Sequence, residues 1–282
     1  MDNIHSFGAM ISRELLPGLL PDEKAKGVSF GFQVVGDIAV LSLPPELHDL
    51  RFHLAREVLS RHRNIRTVAS RAQIPRGDLR VADIEVLAGG GTTTVCREYG
   101  FSYRLDIKET FFSPRLASER CRVWMQVKPL EEVIVPFAGV GPFVIPPASR
   151  GAIVTAVEKN PAACRFLWEN AILNNVWQRV VIHEGDIREI LPGLPAKFDR
   201  AIVPAPYGYD QVLFSLLPHV REGAMVHFYT FKRASQVPAL TKEYEDAGLQ
   251  VRLVRRCGYV APGVARYVFD MLKQKSRSSP RQ

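Results

Sequence analysis

Four short segments carry residue types suited to holding a nucleotide-like ligand. In VIVPFAGVGPF (133–143) an apolar, strand-like run passes Phe137 and enters a turn containing Gly139 and Gly141. Glycines at such a turn let the backbone approach a ligand closely. The next strand-like run ends in AVEKNP, which places Glu158 and Lys159 about 20 residues further on, where an acid can accept hydrogen bonds from ribose hydroxyls. After a third run, EGDIRE places Asp186 and Ile187 where a carboxylate can meet an adenine amino group. A fourth, FDRAIVPAPYGYD, ends with Pro204 and Pro206 at the face where open α/β sheets bind ligands. Taken singly, a glycine turn can also be merely tight, and either acid can be a solvated loop residue. The turn lacks the GK[ST] ending of a phosphate loop, which argues against ATP or GTP.

A second kind of chemistry is suggested by charge. Residues 51–80 contain Arg51, Arg56, Arg61, Arg63, Arg66, Arg71, Arg76 and Arg80, against the acids Glu57 and Asp78. The whole chain has a formal net charge of +8. Guanidinium forks match phosphate oxygens, so this run reads as a phosphate-contacting surface or as a solvated basic face. Cys96, Cys121, Cys164 and Cys257 are far apart and fit no zinc spacing, so reduced thiols and no metal are expected. No apolar run reaches the ~18 residues of a membrane span, and the first residues carry acids without a long apolar core. A cytoplasmic protein is expected.

The elements that must position these residues change character along the chain. Residues 1–27 read as a short helical lead-in. GFQVVGDIAVLSLP reads as two strands around a Gly36–Asp37 turn. The spacing of Leu47, Leu50, Leu54, Val58 and Leu59 predicts a helix over 46–63. IRTVAS, IEVLAG and FSYRLDI read as strands, and a helix is expected to begin within or just after FFSPRLASER. The front domain, 28–125, is therefore α+β. Over 126–272, strand-like runs alternate with helical ones such as PAACRFLWENAILNNV and DQVLFSLLPHV, which predicts a parallel sheet wrapped by helices. The expected fold class is α/β: a Rossmann-like domain preceded by a smaller α+β domain, with a basic tail over 273–282.

The order of glycine turn, Glu158, Asp186 and fourth-strand prolines resembles the class I S-adenosyl-L-methionine (AdoMet) methyltransferases. A closer resemblance rests on VVGDIAVL, LAGGGTTTVCREYG, DIKETFFSPRLASER, PFAGVGPF, EKNP, GDIRE and YVAPGVARYVFD. Together, over roughly residues 25–272, these are similar to the archaeal and eukaryotic tRNA guanine-N1 methyltransferase family, which also includes the wybutosine-pathway aminocarboxypropyl transferases. The resemblance implies AdoMet as cofactor, tRNA as partner, and a front domain that helps hold the anticodon stem. Length departs from the family: full-length members carry an additional N-terminal domain that reads the tRNA elbow, and this sequence is expected to start almost directly at the domain after it and to act as a monomer.

Carried over by motif, the resemblance makes Glu119 the general base that removes the guanine N1 proton. Arg115 would face the developing charge on O6 or a phosphate, and Arg120 would help position the base. Arg80 matches a front-domain arginine facing the target base, and Phe112 belongs to the same substrate side. An ion pair between Glu119 and Arg120 is the plainer alternative. Two departures stand out. Val135–Pro136 occupies the place of an acid before FAGVG. Pro204 occupies the place of an asparagine that holds the target base, and it has no side-chain donor or acceptor. Tyr207 and Tyr209 could supply stacking or a hydroxyl instead. The acceptor atom stays open between guanine N1, a wybutosine precursor receiving aminocarboxypropyl, and a protein side chain. A non-catalytic AdoMet- or RNA-binding protein is the reading from another class.

Overall fold

The computed structural model describes residues 8–10, 30–71, 83–195 and 197–275. The chain divides into two compact units, Met1–Arg115 and Leu116–Gln282.

The first unit is built on a five-stranded sheet of order β1–β2–β3–β4–β5. Its strands are Gly8–Met10, Gly31–Val35, Ile38–Ser42, Thr67–Arg71 and Ile84–Gly89. β3 and β4 are parallel, so the chain must cross over between them, and helix α1 (Arg51–Arg61) makes that crossover. Its apolar stripe, Leu54, Ala55 and Val58, packs with Leu47 against Ala39, Leu41, Val68 and Leu87. Each fully buried leucine there contributes roughly 1.5–3 kcal/mol. β6 (Thr93–Glu98) and β7 (Phe101–Asp106) form a separate antiparallel ribbon.

Two expectations change here. Gly8–Met10, inside the expected helical lead-in, is a strand paired with β2; the rest of 1–27 lies outside the described residues. The helix expected over 46–63 is instead a 3₁₀ turn, Pro45–Leu50, followed by α1. β6 carried no apolar run to announce it: Thr94 and Cys96 are buried, but Thr93, Val95 and Arg97 face water.

The second unit holds a seven-stranded sheet of order β10–β9–β8–β11–β12–β14–β13. β8 (Glu132–Pro136), β9 (Ile153–Glu158), β10 (Val180–Glu184), β11 (Phe198–Pro204) and β12 (Val220–Lys232) run parallel. β13 (Leu249–Ala261) and β14 (Val264–Lys273) close it as an antiparallel hairpin on β12. The helices are α2 (Ala117–Trp124), α3 (Ile145–Ser149), α4 (Pro161–Leu173), α5 (Ile187–Ile190), α6 (Val212–Leu216) and α7 (Val237–Asp246). This is the Rossmann-like architecture expected. Strand order reverses between β8 and β11, and the carboxyl ends flanking such a reversal are where ligands bind.

Two prolines shape that point. β8 and β11 pair only through Arg200↔Val133 and Ala201↔Ile134. Pro136 and Pro204 end the two strands, and neither has an N–H to extend the ladder. The second unit begins before the boundary expected near residue 125, so α2 and Glu119 belong to it. Strand β14 runs through Lys273, the first residue of the expected tail; residues beyond 275 are outside those described. Among the described residues no helix is long and apolar enough to cross a membrane.

The hairpin turn between β2 and β3 needs its glycine. Gly36 has φ +60°, and a Cβ there would lie 2.0 Å from Thr94 Oγ1 and 2.8 Å from the Val95 carbonyl oxygen. Gly36→Ala should therefore lower the stability of the chain by about 2–4 kcal/mol, through the left-handed backbone and the clash together. A reduced urea midpoint checks this; an unchanged midpoint would show that the turn tolerates a side chain.

Candidate active site

The glycine turn after β8 is fastened to the end of β9. Gly139 N donates to Glu158 Oε2 at 2.8 Å, Ala138 N donates to the Val157 carbonyl, and Asn160 N donates to Glu158 Oε1 at 2.9 Å. Each Glu158 oxygen keeps acceptor capacity for a hydroxyl. Phe137, Gly139 and Gly141 all have positive φ, at 55°, 55° and 96°. A Cβ on Gly141 would sit 2.4 Å from Leu167 Cδ1, so the turn packs directly on α4. Phe137 is a non-glycine residue held in the left-handed region, a local cost of about 1–2 kcal/mol that the surrounding bonds must offset.

Around this turn the carboxyl strand ends form one wall. The Phe137 ring meets Tyr209 edge-on at 5.4 Å, and the Arg188 guanidinium lies 5.5 Å over the Tyr209 ring. Asp186 caps α5 by accepting from Arg188 N at 3.0 Å. Its two oxygens also take Arg188 Nε at 3.0 Å and Nη2 at 2.7 Å, with Lys159 Nζ at 3.5 Å. Arg188 above all holds the Asp186 carboxyl far below the ordinary carboxylate range. Asp186 is thus engaged by Arg188, a neighbour that sequence reading did not single out. Ile187 is buried in the core beside it. Pro204 is half-buried at the strand end and Pro206 is buried.

A second cluster surrounds Glu119. This side chain is 2% exposed. Its Oε2 accepts from Arg122 Nε at 3.0 Å and from the Tyr229 hydroxyl at 3.3 Å. Its Oε1 is also buried, lies 3.3 Å from Arg255 Nη1, and receives no hydrogen bond. Burial, then the neighbouring Glu119 charge, pushes the Tyr229 hydroxyl well above its ordinary pKa, so it stays a donor. Arg122 turns its other two nitrogens to Asp270, at 2.5 and 3.1 Å. His227 Nδ1 donates to Asp270 Oδ1 at 2.7 Å. Arg200 Nη1 donates to His227 Nε2 at 2.7 Å, which fixes a neutral imidazole, since an arginine can only donate. Arg200 in turn grips Glu131 at 2.7 and 3.1 Å.

Glu119 forms ion pairs with Arg122 and Arg255, neither of which the plainer alternative had named. Arg120 is buried, with its guanidinium 5.9 Å over the Phe143 ring. Arg122, Arg255, Tyr229, Asp270 and His227 were not singled out in the sequence, because they come together only through the β12–β14–β13 pairing. The i,i+3 spacing of Glu119 and Arg122 on a helix was the one local signal.

Tyr207 is 75% exposed, with its ring 6.2 Å from Phe231. Within the first unit, Arg115 is exposed and Phe112 is buried, its ring 5.8 Å from Tyr103. Desolvation and then the Arg115 charge lower the Arg71 pKa, which marks these two arginines as close neighbours. In the basic run, Arg51 pairs with Glu85, Arg61 with Glu57 and Arg66 with Asp37. Arg76 and Arg80 lie outside the described residues. Among the described residues no cluster of His, Cys, Asp and Glu could hold a metal ion.

A glycine turn fastened to a strand-end acid, and a buried carboxylate with one oxygen that receives no hydrogen bond, are the chemical features of this unit. Comparison with known proteins decides the family. Residues 94–247 match the TRM5/TYW2 methyltransferase domain, and residues 12–93 match the TYW2 N-terminal domain. The chain belongs to the TRM5/TYW2 family.

Within this family it is 34% identical over 213 residues to the tRNA (guanine(37)-N(1))-methyltransferase Trm5b of Pyrococcus abyssi. That match covers 75% of this chain and 63% of the relative, less than two thirds of its length. It is 33% identical over 279 residues to the tRNA(Phe) (4-demethylwyosine(37)-C(7)) aminocarboxypropyltransferase of Pyrococcus horikoshii, covering 94% of this chain and 96% of the relative. The solved structure of P. horikoshii TYW2 in complex with MeSAdo superimposes with TM-score 0.75 at 30% identity, over 94% of this chain and 98% of that one.

The buried cluster of this TRM5/TYW2 chain makes its stability depend on pH. Burial lowers the His227 pKa below 6.5; Asp270 opposes this, and Arg200 and Arg122 add to it. Below pH 6.5 the unfolded chain therefore takes up a proton that the folded chain refuses, so stability falls as pH drops. Burial alone would raise Asp270, but the bonds from His227 and Arg122 prevail and hold it at about 2. It adds a further loss as pH falls from its unfolded 3.8 toward 2. Urea unfolding across this range should show stability declining below pH 6.5, and His227→Gln should flatten the upper part of that decline. A wild-type slope unchanged in the variant would contradict the buried neutral imidazole.

Proposed function

We propose that this chain is an AdoMet-dependent transferase that modifies the base at position 37 of a tRNA, methylating guanine N1, with Glu119 as the proton acceptor. The observation that carries this is the Glu119 carboxylate. It is buried, fixed through Oε2 by Arg122 and Tyr229, and left with Oε1 able to accept a proton. Guanine N1 becomes nucleophilic when its proton leaves. In this reading the proton moves from N1 to Glu119 Oε1, and the freed pair on N1 takes the transferred carbon. Arg122 and Arg255, both paired with Glu119, are cations that can compensate charge developing on the base as this happens. Arg115, with Arg71 beside it, suits a phosphate of the tRNA.

AdoMet, when bound, would supply the electrophilic methyl carbon, its C–S bond breaking with the electron pair left on sulfur as a neutral thioether. The residues present fit it: Phe137, Gly139 and Gly141 form the close-packed turn, and Glu158 keeps acceptor positions for ribose hydroxyls. Asp186 and Lys159 stand at the adenine side, where Tyr209 adds an aromatic face. Tyr209 thereby joins the cofactor wall rather than the acceptor side. A tRNA substrate and four free cysteines fit a reducing compartment, the cytoplasm.

A second reading, transfer of the aminocarboxypropyl group to a wybutosine precursor, is favoured by one observation. The match to the aminocarboxypropyltransferase spans nearly the whole of both chains, and the front segment matches the TYW2 N-terminal domain. Incubating the protein and tRNA with AdoMet labelled separately in its methyl and aminobutyrate carbons decides between them. Methyl label in tRNA is expected; aminobutyrate label would establish the second reading, and no label in tRNA would sink both.

Glu119→Gln should lower kcat by about 100-fold or more, while AdoMet affinity measured by calorimetry stays that of the wild type. A variant that keeps near-normal turnover would remove Glu119 from the chemistry.

A further inference from the structure

The hairpin that closes the sheet arranges its side chains in rows. Opposed residues on β12 and β14 are His227↔Asp270, Tyr229↔Val268 and Phe231↔Arg266. On β13 the partners are Leu253↔Asp270, Arg255↔Val268 and Gly258↔Arg266. On β12 and β14 these are alternate residues, so the three rows share a face there and follow one another at steps of about 6.8 Å; on β13 the register shifts between Arg256 and Gly258. The inner row is the buried His227–Asp270 pair. The middle row is the one Glu119 touches, through the Tyr229 hydroxyl and Arg255. The outer row, one step beyond, is Phe231 and Arg266.

That outer row is an aromatic platform. The Arg266 guanidinium lies 4.5 Å over the Phe231 ring, and the Tyr207 ring stands 6.2 Å from Phe231 at 56°. Gly258, the third member of the row, leaves open space: a Cβ there would meet nothing within 4 Å. Tyr207 is 75% exposed, yet its loop is pinned. Asp210 accepts from Thr230 Oγ1 and from Lys232 Nζ, both at 2.5 Å. The exposed tyrosine stands on a fixed loop beside a buried phenylalanine that an arginine covers, so the Tyr207 ring and the Arg266 guanidinium present flat surfaces with a positive charge. Unpaired nucleobases are bound by this chemistry.

We propose that Tyr207, Phe231 and Arg266 form the stacking site for the acceptor base, holding its ring while its edge meets Glu119 one row inward. The inference rests on the tRNA reading above and adds how the base is held. Pro204, at the strand end beside this loop, offers no side-chain hydrogen bond, so stacking rather than an amide contact supplies the grip.

Steady-state transfer to tRNA, with Tyr207→Ala and Tyr207→Phe, tests it. Tyr207→Ala should lower kcat/KM for tRNA by roughly tenfold or more, Tyr207→Phe should restore most of that loss, and AdoMet affinity by calorimetry should not move. A tRNA carrying 2-aminopurine at position 37, the position named in the relatives, should lose fluorescence on binding the wild type and lose less on binding Tyr207→Ala. Equal kcat/KM and equal quenching in the wild type and Tyr207→Ala would overturn the platform while leaving the transferase reading in place. A wild type that labels no tRNA would overturn the transferase reading and the platform with it.

Discussion

Arg122 is the residue on which the geometry around Glu119 depends. Its three nitrogens reach Glu119 and both oxygens of Asp270. Burial would lower its pKa, but the bonds from Asp270 and Glu119 raise it well above the ordinary value, so it is a permanent cation. The carboxylates Glu119, Asp270 and Glu131 face the guanidiniums Arg122, Arg255 and Arg200, with His227 neutral between them. Burying so many charges does little for stability by itself, since desolvation cancels most of the attraction. Its effect is positional. Helix α2, which carries Glu119, is tied by directional bonds to β12 and β14, so the carboxylate cannot rotate to expose a different oxygen. Removing one member would leave its partner charged and buried, so the set persists or fails together.

The cofactor wall depends on a different constraint, backbone termination. A parallel sheet interior normally continues its ladder until a helix takes over. Here Pro136 and Pro204 end the adjacent strands β8 and β11, and the pairing between them stops at Ile134 and Ala201. The residues that follow are free to diverge, and Phe137 turns into the left-handed region. Glu158 then fixes the diverging turn by accepting from Gly139 N. The acid absent before the glycine turn is therefore not an empty place: proline there does structural work at the point where strand order reverses.

What the sequence disclosed and what it concealed follow from range. The parallel strands were legible because each is a short apolar run bounded by turn residues, and Glu158 and Asp186 were placed correctly at strand ends by spacing alone. α4 was legible from its capping Asn160 and Pro161 at its start. β13 was not, since LQVRLVRRCGYVA is arginine-rich and mostly exposed, with an irregular register against β14. The Glu119 cluster was hidden for the same reason. Its members lie in α2, β11, β12, β13 and β14, and only strand pairing brings them together. Glu119 itself came from motif resemblance; nothing local distinguishes it from any other helical acid except Arg122 one turn later.

The loop from Pro204 to Asp210 links the two constraints. Tyr209 turns toward Phe137 and Arg188, beside the glycine turn. Tyr207 turns toward Phe231. Residues two apart would share a face in an extended strand; here Gly208, with φ +84°, reverses the backbone and sends them to different sides. Asp210 then anchors the loop to Thr230 and Lys232 of the same strand that carries Tyr229 and Phe231. One short segment thus sets the positions of two aromatic rings, one against the glycine turn and one against β12. A shift in the Asp210 anchor would move both rings at once, so the two positions are coupled through β12 rather than adjusted separately.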